Sequence, residues 1–159
     1  METGVRASEA GLKFPVLGIS ADQDLWGFPD LRSLETCGRL TLRDKMQDGM
    51  ELISADGRRW RVDGVRKLGR AGSVVSQVLA VLLSGGPQFR IEHDLTPLTR
   101  LSLREVQERA CAAISAHPDF WPDEDGHLGS TPAELAKVRR TRSIAEIYDI
   151  LGLDTFEAY

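Results

Sequence analysis

The chain is short of almost every feature that would announce a chemistry. Cys37 and Cys111 are its only cysteines, far apart and outside any CxxC or Cys/His grouping, so neither a disulfide framework nor a zinc-ligand set is expected. Reduced, partly buried thiols are. The longest apolar run, Val74 to Leu83, is interrupted by Ser76 and Gln77 and falls far short of the roughly 20 residues needed to cross a bilayer. Met1 to Leu12 lacks a basic stretch followed by an apolar one, so no secretory signal is expected and the cytoplasm is the expected location. Positive charge is in deficit: 20 Lys and Arg against 24 Asp and Glu leave a net charge of −4, which removes the compositional case for a dedicated nucleic-acid or membrane-surface binder. No GxxxxGK[ST], GxGxxG, Ser/His/Asp or Cys/His signature is present. Accordingly no catalytic residue, metal or cofactor is expected.

What is present suits one soluble domain. At 159 residues, with 42% hydrophobic and 28% charged, the chain is long enough to bury roughly 70% of its unfolded surface without a staple. Residues 1–11 read as a mobile tail and 12–159 as a single α+β domain, in which helices pack on an antiparallel sheet of about four strands.

Several elements can be placed. Phe14 to Ser20 reads as a strand with Pro15 near its start, Ala21 to Pro29 as an irregular acidic and aromatic loop, and Leu31 to Cys37 as a short helix. The strongest local signal is the hairpin at Asp56-Gly57. A three-residue loop, Ala55 to Gly57, sets Leu52 against Trp60, Met50 against Val62 and Glu51 against Arg61, which segregates apolar from charged faces; a two-residue turn would mix them. Gly69 to Gly72 is expected to break the following strand, with Ser73 capping an apolar core helix, Val74 to Leu83, that Gly85-Gly86-Pro87 closes. Gln88 to Leu95 alternates as a half-buried strand does. Ser102 with Glu105 forms a capping box ahead of the stripe Leu103, Val106, Ala110, Ala113 and Ile114. Thr131 and Ser143 open further helices, the last with Ile144, Ile147, Tyr148 and Leu151 on one face.

Each place where chemistry might sit has an ordinary reading beside it. Gly69 to Ser73 offers backbone amides to a phosphate, or is a plain connection. His93 stands on the apolar face of its strand, as a core histidine that needs a hydrogen-bond partner or as a base lacking an evident nucleophile. His117 reads as a helix C-terminal cation, and His127 has no evident partner. The run His117 to His127 suggests a metal loop, but with Gly126 at the sixth position Trp121 and Pro132 fall where calcium ligands belong, so a solvated acidic loop is expected. Arg58, Arg59, Arg61, Arg66, Lys67 and Arg70 crowd the hairpin, and Lys137, Arg139, Arg140 and Arg142 form a second basic group; a phosphate-binding surface competes with a solvated face.

Phe14-Pro15-Val16-Leu17-Gly18-Ile19-Ser20, Leu25-Trp26-Gly27-Phe28-Pro29, Leu34-Glu35-Thr36-Cys37, the Asp56-Gly57-Arg58 hairpin ending in Trp60-Arg61-Val62, and Ser143-Ile144-Ala145-Glu146-Ile147 together resemble a group of small uncharacterised bacterial proteins over most of Leu12 to Leu151. The resemblance implies structural signatures and no assigned activity. Immunity proteins, which block a toxin by covering its active site, are similar in being small, acidic and bacterial, a likeness by analogy.

The expected function is therefore non-enzymatic binding of a basic protein partner, of immunity or inhibitor type, through Asp22, Asp24 and Trp26 together with Asp119, Trp121, Asp123, Glu124 and Asp125. Two alternatives stand beside it: nucleic-acid binding by the arginine hairpin, and a small-ligand protein or enzyme built on His93.

Overall fold

A five-residue turn, Ser54 to Arg58, organises the middle of the sheet. The Ser54 amide donates to the Arg58 carbonyl at 2.9 Å and the Gly57 amide to the Ser54 carbonyl at 2.9 Å, with Gly57 at φ 87°. A Cβ there would lie 2.5 Å from the Leu101 carbonyl oxygen, so only glycine fits. The turn joins β5 (Glu51–Ile53) to β6 (Arg59–Arg70) with Glu51 opposite Arg61, Leu52 opposite Trp60 and Ile53 opposite Arg59. This is the face-segregating register, and Val62 donates its amide to the Met50 carbonyl at 2.8 Å one step further on.

The computed structural model describes residues 4–70, 88–118 and 131–153. Within them β1 (Val5–Arg6), β2 (Val16–Ile19), β3 (Leu25–Phe28), β4 (Thr36–Gly38) and β7 (Gln88–Leu98) join β5 and β6 in one antiparallel sheet, in the order β1-β7-β6-β5-β2-β3 with β4 also on β7. The sheet has seven strands among the described residues, not about four. The additional ones run only two to four residues, too short for a two-residue period to show. Leu25–Phe28, expected as irregular loop, pairs with Val16–Ile19 without a break in register. The expected helix over Leu31 to Cys37 stops early: α1 (Leu31–Leu34) is capped by Asp30, and Thr36–Gly38 turns extended to pair with Gln88–Arg90. Of the segment read as a tail, Val5 and Arg6 pair with Leu95 and Asp94 and Ala7 is buried. Gly69 does not end β6; it sits at a register shift and the strand continues to Arg70. The expected helix Val74 to Leu83, its Ser73 cap and the Gly85-Gly86-Pro87 closure lie outside the described residues.

Successive side chains on a strand point to opposite faces, and β2 and β5 are buried on both. On one face Leu17, Ile19 and Ile53 pack with Val106, Ala110 and Ile114 of α3 (Leu103–Ala116), Val138 of α4 (Thr131–Arg139), and Ile144, Ile147 and Tyr148 of α5 (Ile144–Ile150). On the other, Val16, Leu52, Trp60, Val62 and Leu95 pack with Phe28, Leu34 and Met50. Further along β6 and β7 only this second face is apolar; Phe89, Ile91, His93 and Leu95 are buried while Arg90 is exposed and Glu92 and Asp94 half-exposed. A short helix, α2 (Arg39–Arg43), follows β4. The capping box of α3 is formed as the sequence requires: the Glu105 amide donates to Ser102 Oγ at 3.3 Å and the Ser102 amide to Glu105 Oε2 at 2.7 Å. No helix among the described residues is long and apolar enough to cross a membrane.

The C-terminal segment lies close against the sheet at Gly27, where a Cβ would lie 2.5 Å from Leu153 Cβ and 2.7 Å from Tyr148 Cε2. Gly27→Ala is expected to destabilise the fold by about 2 kcal/mol through overpacking, read as a lower urea midpoint. Gly64→Ala, where a Cβ meets nothing within 4 Å, serves as the control and is expected to leave the midpoint unchanged or raised. Equal effects of the two substitutions would contradict the close approach of Leu153 and Tyr148 to β3.

Candidate functional site

The hairpin arginines come first, because each of those described is matched by an acceptor within the fold. Arg58 Nε lies 2.8 Å from Asp56 Oδ2, its guanidinium also reaches the Gly11 carbonyl, and it stacks 5.2 Å above the centre of the Trp60 ring. Arg59 and Arg109, the latter from α3, converge on Glu51 at 3.4 and 3.0 Å. Arg61 pairs with Asp63 at 2.9 Å, and Asp63 also accepts from the Thr96 hydroxyl; the Thr96 bond and then Arg61 hold its carboxyl below the ordinary range. Arg66 bridges Glu92 at 2.8 Å and Asp94 at 3.4 Å, with Arg6 on the far side of Glu92 at 3.4 Å. Lys67 stands 4.3 Å over the Phe89 ring. Such surface pairs add little stability, but they offset part of the local field that a phosphate backbone needs, while Lys67 over its ring keeps its charge. Arg70 lies at the end of β6.

The acidic turn is built differently. Ser20 donates its amide to the Asp24 carbonyl at 3.0 Å and Gln23 donates to the Ser20 carbonyl at 3.0 Å, so Ala21 to Gln23 form a three-residue loop between β2 and β3. Gln23 adopts φ 67°. The Asp24 amide donates to Ser20 Oγ at 3.0 Å. All four residues from Ala21 to Asp24 are exposed, and Asp22 has no cation on its carboxylate among the described residues. His117, at the C-terminus of α3, clamps the turn from behind: its Nε2 lies 2.7 Å from the Asp22 carbonyl and 3.2 Å from Asp24 Oδ1. Trp26 is half-buried on β3, the terminal strand of the sheet, with its ring 6.3 Å from that of Phe28 and inclined 22° to it. Of the residues singled out for partner binding, Asp22, Asp24 and Trp26 therefore share one end of the sheet. Asp119, Trp121, Asp123, Glu124 and Asp125 lie outside the described residues, as does His127.

His93 is wholly enclosed on β7, opposite Val65. Its Nε2 is 2.5 Å from Oε1 of Gln47, itself buried, and its Nδ1 has no hydrogen-bond partner among the described residues. A proton on that orphan nitrogen would be an unsatisfied buried donor, so the proton sits on Nε2 and is donated to Gln47. Among the described residues no carboxylate or nucleophile bonds to the ring. Gln47 was invisible in the sequence because a lone polar residue in a turn carries no periodicity. Burial also pushes the Cys37 thiol up to about 11, and Cys111 is raised for the same reason. Both cysteines are free and buried.

Enclosure lowers the His93 pKa from 6.5 to about 4, burial outweighing the Asp94 carboxylate that favours the proton. In the unfolded chain the imidazole keeps its ordinary value, so between pH 6.5 and 4 the unfolded state binds the extra proton. Stability is complete above pH 6.5 and falls as pH drops to 4, by about 3 kcal/mol for this one group. Urea unfolding across that range is expected to show the loss, and His93→Gln to flatten the slope whatever its effect on absolute stability; an unchanged slope would mean the imidazole titrates normally. Comparison with protein-family models, curated proteins and solved structures finds no match to this chain.

Proposed function

We propose that the chain is a non-enzymatic interaction protein that engages a basic protein surface through the acidic turn Asp22 to Asp24 and the neighbouring Trp26, in the manner of an immunity-type inhibitor. One contrast supports the reading above the others: Arg58, Arg59, Arg61 and Arg66 each have a carboxylate partner within the fold, whereas the exposed Asp22 carboxylate pairs with no cation among the described residues. An uncompensated charge on a clamped turn steers a partner of opposite sign, and a half-buried tryptophan at the sheet edge supplies an anchor with little entropy to lose. The turn is also preorganised. Its loop bonds and the His117 clamp hold it before any partner arrives, which reduces the ordering cost of association.

Affinity capture from bacterial lysate with the immobilised chain tests this. The wild-type chain is expected to retain a protein of basic surface, and Asp22→Lys with Asp24→Lys to weaken retention at least about tenfold, or ~1.4 kcal/mol. Trp26→Ala should reduce it independently of salt. Equal retention by the charge-reversed variant would move the binding surface elsewhere. Salt-sensitive binding of a fluorescent duplex DNA that is lost in Arg59→Ala with Arg61→Ala would favour the hairpin instead.

A further inference from the structure

A cavity of about 190 Å³ lies on the side of β6 and β7 that carries Val65 and Ile91, under the segment that links β4 to β5. That exceeds the ~150 Å³ that admits benzene, so the space suits a compact organic molecule rather than a single water. Its apolar wall is Leu42, Val65 and Ile91, and its polar wall is Lys45, Gln47 and Asp48. Cys37 also borders it and brings no charge, since burial keeps its thiol protonated.

Gln47 is the informative side chain. It is only 3% exposed, and its carbonyl oxygen is occupied by the His93 Nε2 proton at 2.5 Å. That bond fixes which way the amide faces, and its NH₂ group has no partner among the described residues. A donor pair on the wall of a cavity is complemented by an acceptor on the guest. Lys45 and Asp48 supply opposite charges on the same wall, and neither forms an ion pair among the described residues, with each other or elsewhere. A cationic group, an anionic group and an amide donor beside an aliphatic surface complement a molecule that carries both charges and a branched apolar body. Lys45 also holds φ 50°, a left-handed conformation that glycine would adopt without strain. The side chain is kept at a position that the backbone alone would give to glycine.

We propose that this cavity binds a small apolar α-amino acid, with its carboxylate on the Gln47 amide and the Lys45 ammonium, its ammonium on Asp48, and its aliphatic side chain against Leu42, Val65 and Ile91. The site is independent of the acidic turn, and His93 acts in it as a positioning residue for Gln47.

Isothermal titration of the full chain with L-leucine tests the assignment, with 4-methylpentanoate, which lacks the amine, and isoamylamine, which lacks the carboxylate, as matched probes. Saturable binding of L-leucine is expected, with each probe at least about tenfold weaker. Lys45→Gly relieves the backbone strain, so it is expected to fold with undiminished stability while weakening L-leucine at least about tenfold. Asp48→Asn is expected to erase the preference for L-leucine over 4-methylpentanoate. No saturable binding of L-leucine or L-valine, equal affinity for 4-methylpentanoate, or unaltered binding in a well-folded Lys45→Gly variant would each overturn the proposal.

Discussion

The constraint on which the rest depends is that β2 and β5 must be apolar on both faces at once. Adjacent residues, Val16 and Leu17 on one strand and Leu52 and Ile53 on the other, enter separate cores, so neither strand can slip by one residue without exchanging the two sets. A slip would not turn apolar side chains to solvent. It would present side chains fitted to one core to the other, and close packing makes that costly too. The turn at Ser54 to Arg58 removes the remaining freedom, because its loop length sets which residue of β6 meets Leu52.

Double burial ends between β5 and β6, and the charge distribution follows from where it ends. The described helices cover the part of the sheet formed by β2, β3 and β5, whereas the same face of β6 and β7 carries Arg59, Arg61, Asp63, Arg66, Glu92 and Asp94. Directly opposed strands bring unlike charges within reach, so the basic side chains of β6 find acids on β7 or on their own strand. Glu51, the last polar residue before the double core, joins the two regions by holding Arg59 from the sheet and Arg109 from α3. Local cancellation across the sheet thus accounts for part of the small net charge, and Asp22, at the end of the sheet, lies outside it.

The sequence was most legible where one signal acted alone. The Asp56-Gly57 hairpin and its register, the Ser102–Glu105 capping box and the Ile144, Ile147, Tyr148, Leu151 stripe are all decided by residues within a few positions of one another. Short strands were not legible, because β1 and β4 exist by pairing with the long edge of β7 rather than by any pattern of their own. One further signal is a repeat. Ile-Ser-Ala-Asp occurs at residues 19–22 and again at 53–56, and both copies form the same three-residue loop, with matching bonds from residue one to five and from residue four to one. The repeat implies a hairpin at both places, so β3, with Trp26 on a strand rather than a loop, follows from the first copy as β6 does from the second. Gln47 had no such signal, since its role depends on a histidine 46 residues away.

The two copies of that loop also provide an internal comparison. Where the second places Gly57 at φ 87°, the first places Gln23 at φ 67°, so the same backbone is made once with glycine and once against the steric preference of a side chain. The left-handed conformation costs an L-residue about 1–2 kcal/mol, a large fraction of the margin by which a domain of this size is stable. Among the described residues Lys45 is the other non-glycine residue with positive φ. One of the two lies in the exposed acidic turn and the other lines the cavity. A left-handed side chain persists where surrounding bonds over-determine the turn, as the bonds to Ser20 and the His117 contact do around Gln23.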